Sequence, residues 1–218
     1  MKLFFADNHY GARPGWNLYG AIKAEWDDVV FYEDDVFALA DAAALEACDL
    51  LILNLLIETD LSVIAEANVK AYLKRGGNVL LLHCGSVVFE QWAWWRRLVG
   101  LRWVRSNDPE GVDPSTHPVR TYQVKVVECA HPLSGTLCDM DLPEDEIYIR
   151  LQQTCPVTVL METTIEEGVF PQCCEAVSPW GGRIVSFLPG HASEAVIHPD
   201  LVYNVAKIIK YLSPEKGT

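Results

Sequence analysis

The chain has 218 residues, half of them hydrophobic, and a formal net charge of -13 at pH 7. That length suits a single α/β domain spanning residues 1–218, and that apolar content argues against disorder. The acidic surplus repels phosphate backbones, which argues against nucleic acid as a partner, and no run approaches the about 18 uninterrupted apolar residues of a membrane span.

Residues 2–6 read as a first strand that leads straight into Asp7, Asn8 and His9. The apolar start is too short for a secretory leader, so the expected location is the cytoplasm. A loop bearing Gly11, Pro14 and Gly15 follows. Asn17 can cap a helix running to about residue 26, with Leu18, Ala21, Ile22 and Trp26 at helical spacing. Residues 29–32 form a second strand. Asp34 and Asp35 open a second helix through Leu45, acidic at its positive end. Residues 49–53 form a third strand that ends at Asn54. Asp60 or Ser62 caps a third helix to about residue 75. Gly76 and Gly77 end it, because glycine tolerates the left-handed conformation of a helix stop. Residues 78–82 are a fourth strand, continuously apolar from Val79 to Leu82, which stops at His83, Cys84 and Gly85. Alternation of strand and helix implies a parallel sheet with right-handed crossovers.

The rhythm then changes. Residues 89–98 predict a helix carrying Trp92, Trp94 and Trp95. Residues 105–118 are irregular and rich in Pro, Asp, Ser and Asn, a candidate arm or lid. A strand is expected over 122–127, and short strands over 147–150 and 157–161. Residues 174–178 and 183–188 pair around the turn Pro179-Trp180-Gly181-Gly182. Pro189, Gly190 and His191 end that strand. Residues 199–212 close the chain as a helix, with Leu201, Val205, Ile208, Ile209 and Leu212 at core-facing spacing.

In open α/β sheets, ligands bind at the C-terminal edge of the parallel strands. His9, Asn54, His83 and His191 all follow strands that would end there. Strands must surface somewhere, so polar residues at their ends also arise without function, and Asn54 equally suits a loop hydrogen bond. Cys84 stands near a strand-to-helix turn that could activate a thiolate. Yet the nucleophile slot of such an elbow falls on His83, which turns Cys84 one residue away toward packing. The seven cysteines contain no Cys-x-x-Cys pair, and Cys173 and Cys174 are adjacent, so reduced and largely buried thiols are expected. Zinc held by His83, His191 and a carboxylate is chemically allowed, because imidazole and carboxylate are good zinc ligands. No ligand spacing predicts it, so no metal site is assigned and the cofactor stays unknown.

Six short pieces in order resemble the ThuA-like (trehalose utilisation) family of the class I glutamine amidotransferase-like superfamily. They begin with Gly76-Gly77-Asn78-Val79-Leu80-Leu81-Leu82-His83, Trp95-Arg96-Arg97-Leu98-Val99-Gly100 and Thr116-His117-Pro118. They continue with His131-Pro132-Leu133, Asp145-Glu146-Ile147-Tyr148, and Gly182-Arg183-Ile184-Val185-Ser186-Phe187 leading to Gly190-His191. The resemblance covers roughly residues 70–212. It implies a flavodoxin-like three-layer α/β sandwich with a mainly parallel sheet. It also implies a pocket similar to the amidotransferase site without the cysteine nucleophile. This sequence agrees, with His83 where the cysteine would stand. The His-x-Glu pair of amidotransferases is missing too, since His191 precedes Ala192-Ser193-Glu194. The family's association is with disaccharide and sugar catabolism.

The expected working residues are His83, Glu146 and His191, with the histidines as acid–base or hydroxyl-binding groups, since histidine titrates near neutral pH, and Glu146 as the second titratable group. Glu146 is chosen over Asp145, although the pair also reads as a solvated acidic loop with Asp141 and Glu144. His9, Asn54, His117 and Tyr148 are the expected substrate-binding residues. His131 caps a backbone group or lines the pocket, with the structural role favoured. Trp92, Trp94, Trp95, Trp103 and Trp180 could stack on a sugar, though most such aromatics serve a core or a subunit contact. The expected partner is a small sugar-like molecule, with a homo-oligomer allowed. Two readings stay open beside the enzyme: a non-catalytic sugar- or partner-binding module, and a Cys84-dependent hydrolase.

Overall fold

A computed structural model describes residues 2–7, 14–26, 28–33, 36–56 and 62–213. His9, Asp34, Asp35 and Asp60 lie outside the described residues. The strands are β1 (Leu3–Asp7), β2 (Val29–Glu33), β3 (Leu50–Asn54), β4 (Asn78–Leu82), β5 (Leu101–Arg102), β6 (Val119–Val126), β7 (Met140–Glu146), β8 (Gln152–Gln153), β9 (Val157–Ile165), β10 (Gly168–Val177) and β11 (Arg183–Phe187). The helices are α1 (Pro14–Lys23), α2 (Ala42–Ala47), α3 (Val63–Lys74), α4 (Ala93–Arg96), α5 (Ser193–Val196) and α6 (Pro199–Leu212).

One nine-stranded sheet runs through the molecule in the order β2-β1-β3-β4-β11-β10-β9-β6-β7. From β2 to β11 every neighbour is parallel. Beyond β11 the pairs are antiparallel. The fold is an α/β sandwich of flavodoxin-like type. Side chains alternate across each strand, so successive residues feed opposite layers. Leu3, Phe5, Leu50, Ile52, Leu80, Leu82, Val185 and Phe187 pack toward α1 and α6. Phe4, Ala6, Leu51, Leu53, Val79, Leu81 and Ile184 pack toward α2, α3 and the indoles of Trp92 and Trp95. Burial of both faces is why these strands are solid apolar runs.

Helix ends follow local chemistry. Ser62 caps α3 by accepting from Ala65 N–H, and Asp41 caps α2 by accepting from Ala44 N–H. Gly76 ends α3 with φ of +83°. A Cβ on Gly77 would lie 2.4 Å from the Tyr72 ring, so only glycine lets that ring lie against the turn. Several expected elements are corrected. Asn17 does not cap α1, which already begins at Pro14. The helix expected from Asp34 to Leu45 is a 3-10 turn over Val36–Ala40 followed by α2, because Asp41 supplies a new cap. The tryptophan segment is helical only over Ala93–Arg96, since Phe89 takes φ of +60° and breaks the run. The strand expected over 147–150 is instead β7, which ends at Glu146.

Candidate functional site

The site grows from the end of β4. Leu82 is the last strand residue, and His83 opens a 3-10 turn with φ of +39°. That left-handed conformation costs a non-glycine residue about 1–3 kcal/mol and is characteristic of functional elbows. Gly85 allows the turn to pack down, because a Cβ there would lie 2.7 Å from the Leu53 carbonyl oxygen. The His83 ring is buried and its Nδ1 lies 2.7 Å from the Leu188 carbonyl oxygen. A carbonyl only accepts, so Nδ1 carries a proton and Nε2 is turned toward Glu146.

Glu146 reaches the same point from the end of β7. Its Oε2 lies 3.6 Å from His83 Nε2 and 3.5 Å from His191 Nδ1. Its Oε1 lies 3.4 Å from His117 Nδ1. The His83 and His191 ring centroids are 5.3 Å apart. Burial alone would push the Glu146 carboxyl up, but the facing His83 side chain and the charges of His191, His83 and His117 outweigh it and hold it below its ordinary value. Burial, reinforced by His83, holds the His191 imidazole down despite Glu146 and Asp145.

Backbone organisation delivers each group. Asp145 is buried, and its carboxylate accepts the N–H groups of Gly190 (2.9 Å), His191 (2.9 Å) and Ala192 (2.7 Å). It thereby ties the segment bearing His191 to the strand bearing Glu146. His117 arrives on the 105–118 segment, which is pinned rather than loose. Arg102 pairs with Asp108, Arg96 with Glu110, and Arg105 with Glu90. Thr116 exchanges hydrogen bonds with Ile149, and Ile147 N–H donates to the Pro118 carbonyl. This short ladder sets His117 beside Glu146 and Tyr148. The Tyr148 ring lies 4.3 Å from His83, and Trp103 lies 4.7 Å from Tyr148 and 5.5 Å from His117.

His83, Glu146, His191, His117 and Tyr148 are thus brought together. His9 lies outside the described residues. Asn54 is buried below the turn, where it accepts from Cys84 Sγ at 3.1 Å and donates to Asp7 at 2.9 Å. Its amide is engaged at both ends, so it supports the elbow instead of facing a ligand. Cys84 is fully buried, and burial with the nearby Asp7 charge pushes its thiol well above its ordinary value. The nucleophilic Cys84 reading is corrected on that ground. His131 sits elsewhere, against Glu175 and Tyr211. Trp92 stacks on Phe89 and Trp94, Trp95 meets Trp94 and Phe89 edge-on, and Trp103 is an indole beside His117 and Tyr148. Two contributions escaped the sequence reading. Asp145 gave no signal beyond standing next to Glu146, and the Leu188 carbonyl gave none.

The family model for ThuA, trehalose utilisation, matches residues 17–212. The chain belongs to the ThuA family. A ThuA-like protein of Parabacteroides merdae shares 15% identity at a TM-score of 0.78, covering 100% of this chain and 91% of that one. A ThuA-like protein of Bacteroides uniformis shares 15% identity at a TM-score of 0.72, covering 97% and 90%. PurLQS of Thermotoga maritima shares 14% identity at a TM-score of 0.58, covering 97% and 99%. At these identities the solved structures establish the fold, which is class I glutamine amidotransferase-like. No curated protein matches the chain significantly. Among the described residues of this ThuA-family chain, no helix is long and apolar enough to cross a membrane.

Proposed function

We propose that this ThuA-family protein acts enzymatically on a sugar or sugar derivative in the cytoplasm, at the cluster of His83, Glu146 and His191. The observation that carries the proposal is the meeting of three histidines on one carboxylate. Glu146 faces His83, His191 and His117 at 3.4 to 3.6 Å, all at the C-terminal edge of the parallel strands or just beyond it. Such a group can accept hydroxyl hydrogen bonds and move protons near neutral pH. Trp103 and Tyr148 supply flat faces of the kind that pack on sugar C–H surfaces. The trehalose-utilisation family supports a sugar as the substrate class. The buried Cys84 disfavours amidotransferase chemistry.

The test is a panel of mono- and disaccharides, trehalose included, screened by thermal shift and calorimetry and then assayed for turnover. A saturable shift is expected for wild type and a loss of it in His191→Ala and Glu146→Gln, with circular dichroism unchanged. Sugar binding that persists in both variants overturns the assignment. Binding without turnover returns the protein to a binding module.

A further inference from the structure

We infer that His83 Nε2, His191 Nδ1 and a Glu146 carboxylate oxygen bind one divalent transition-metal ion of the zinc class. This rests on reading the cluster as the working site and deepens it by giving that site a cation.

The argument begins with distance. The three ligand atoms lie within 4.8 Å of one another. Glu146 Oε2 is 3.6 Å from His83 Nε2 and 3.5 Å from His191 Nδ1. Direct charge-assisted hydrogen bonds between imidazole and carboxylate would be about 2.7–2.9 Å. These separations are too long for that. They are close to the edge of a tetrahedral metal site, where ligands about 2.0–2.1 Å from the ion lie about 3.3 Å apart. The two carboxylate–imidazole separations thus match ligand edges around an ion seated between these atoms.

The second strand of the argument is orientation. His83 donates Nδ1–H to the Leu188 carbonyl, which turns Nε2 toward Glu146 and His191. A ring N–H tied to a backbone carbonyl is the usual outer support of a metal-binding histidine. Glu146 is supported as well, since its other oxygen faces His117 Nδ1 at 3.4 Å. His191 is held through its backbone by Asp145. Each ligand comes from a different segment, and each is anchored before any ion arrives. Such preparation reduces the reorganisation that binding would otherwise require.

The ligand set decides the class of ion. Two imidazoles and one carboxylate suit zinc and its first-row neighbours, whereas calcium and magnesium prefer all-oxygen sites. Three protein ligands leave a fourth position for water or a substrate hydroxyl, as in catalytic zinc sites. Glu146 is 17% and His191 38% exposed, so the position can be reached from solvent. With the ion in place, His83 and His191 act as ligands rather than proton carriers. Among the described residues of the cluster, His117, half exposed, is then the histidine left to face a substrate.

The experiment uses the full chain without an affinity tag, purified without chelator. Metal content per chain is measured by mass spectrometry. The chelator-stripped protein is then titrated with Zn²⁺ alone against a competing indicator, and with Co²⁺ to read the visible spectrum of its coordination. One equivalent per chain is expected, with a tetrahedral-type cobalt spectrum. Loss of an outer-shell partner of a metal ligand commonly costs 10–100-fold in affinity, so Glu146→Gln and His191→Ala, which remove ligands, should weaken Zn²⁺ binding by at least about 100-fold. Both variants should keep wild-type circular dichroism, and His131→Ala, remote from the cluster, should bind Zn²⁺ normally. Equal Zn²⁺ affinity in wild type and both ligand variants overturns the site, and so does the absence of a stoichiometric ion in the wild type. Sugar binding that survives complete chelation, with no Zn²⁺ site, overturns the metal and leaves the sugar reading intact. A Zn²⁺ site without any sugar response does the reverse.

Discussion

His83 is a site residue that carries backbone strain, and its φ of +39° is held by the Leu188 carbonyl above and Gly85 below. Asp145, which holds the His191 segment, matters as much, because its single buried carboxylate collects three backbone N–H groups. Asp145→Asn keeps the shape but removes the charge and turns an amide NH₂ toward some of those donors. It should destabilise the fold by about 1–3 kcal/mol in urea denaturation and loosen the His191 segment, seen as faster hydrogen exchange at residues 190–192. Cys84 supplies a second test at this scale. Its thiol is fully buried and raised, so little thiolate forms near neutrality. Peptide mapping after iodoacetamide should find Cys84, Cys173 and Cys174 unlabelled in native protein and labelled once urea is added. Rapid native labelling of Cys84 would contradict its placement.

At the scale of elements, caps and glycine contacts hold the ends that position the site. Ser62 satisfies one N–H at the start of α3, and Ser62→Ala should cost about 1 kcal/mol, readable as a lowered urea midpoint with unchanged slope. Gly182 is more demanding. A Cβ there would lie 2.3 Å from the Gly77 carbonyl oxygen, where the β10–β11 turn meets the stop of α3. Gly182→Ala should therefore cost more than about 1 kcal/mol and exceed the effect of alanine at Gly135, where nothing lies in the way. The 105–118 segment shows why an irregular sequence need not be a lid. Its Asp108 and Glu110 pair with Arg102 and Arg96, its Arg105 pairs with Glu90, and the ladder with residues 147–149 fixes His117.

Across the whole molecule, both faces of the sheet are packed, and thiols and phenols are trapped inside them. Burial raises Cys174 from its ordinary value of 9.0 to about 12, with Cys155 adding to the shift, and it holds Cys173 and Tyr122 well above their ordinary values. These groups ionise more readily unfolded than folded. Their neutral forms support the fold fully below about pH 9, and that support is lost as pH climbs from there toward 12. Thermal melts should therefore show a melting temperature that falls steadily above pH 9, with a shallower fall in Cys174→Ala. A melting temperature flat to pH 11 would mean these thiols are not sealed off.

The sequence by itself determined the parallel half of the sheet, because continuous apolar runs bounded by polar ends leave little choice of strand. The interval 78–82 and the amphipathic α6 over Pro199–Leu212 are legible this way, and Ser62 and Gly76 mark the ends of α3 by local chemistry. It also pointed His83 and His191 to one edge on the expectation of parallel strands, and β4 and β11 do pair in parallel. The antiparallel half was poorly legible. Met140–Glu146 has few of the β-branched and aromatic residues that mark strands, and it becomes one only by pairing with β6. Only the tertiary structure decided that Glu146 faces three histidines, that Asp145 supports the His191 segment, and that Asn54 and Cys84 bond inward. Those outcomes depend on contacts between residues as much as 108 positions apart, as for His83 and His191, and on side-chain direction. A linear pattern records which residues end a strand, but the distance between two ends, and what lies between them, is set only when the layers pack.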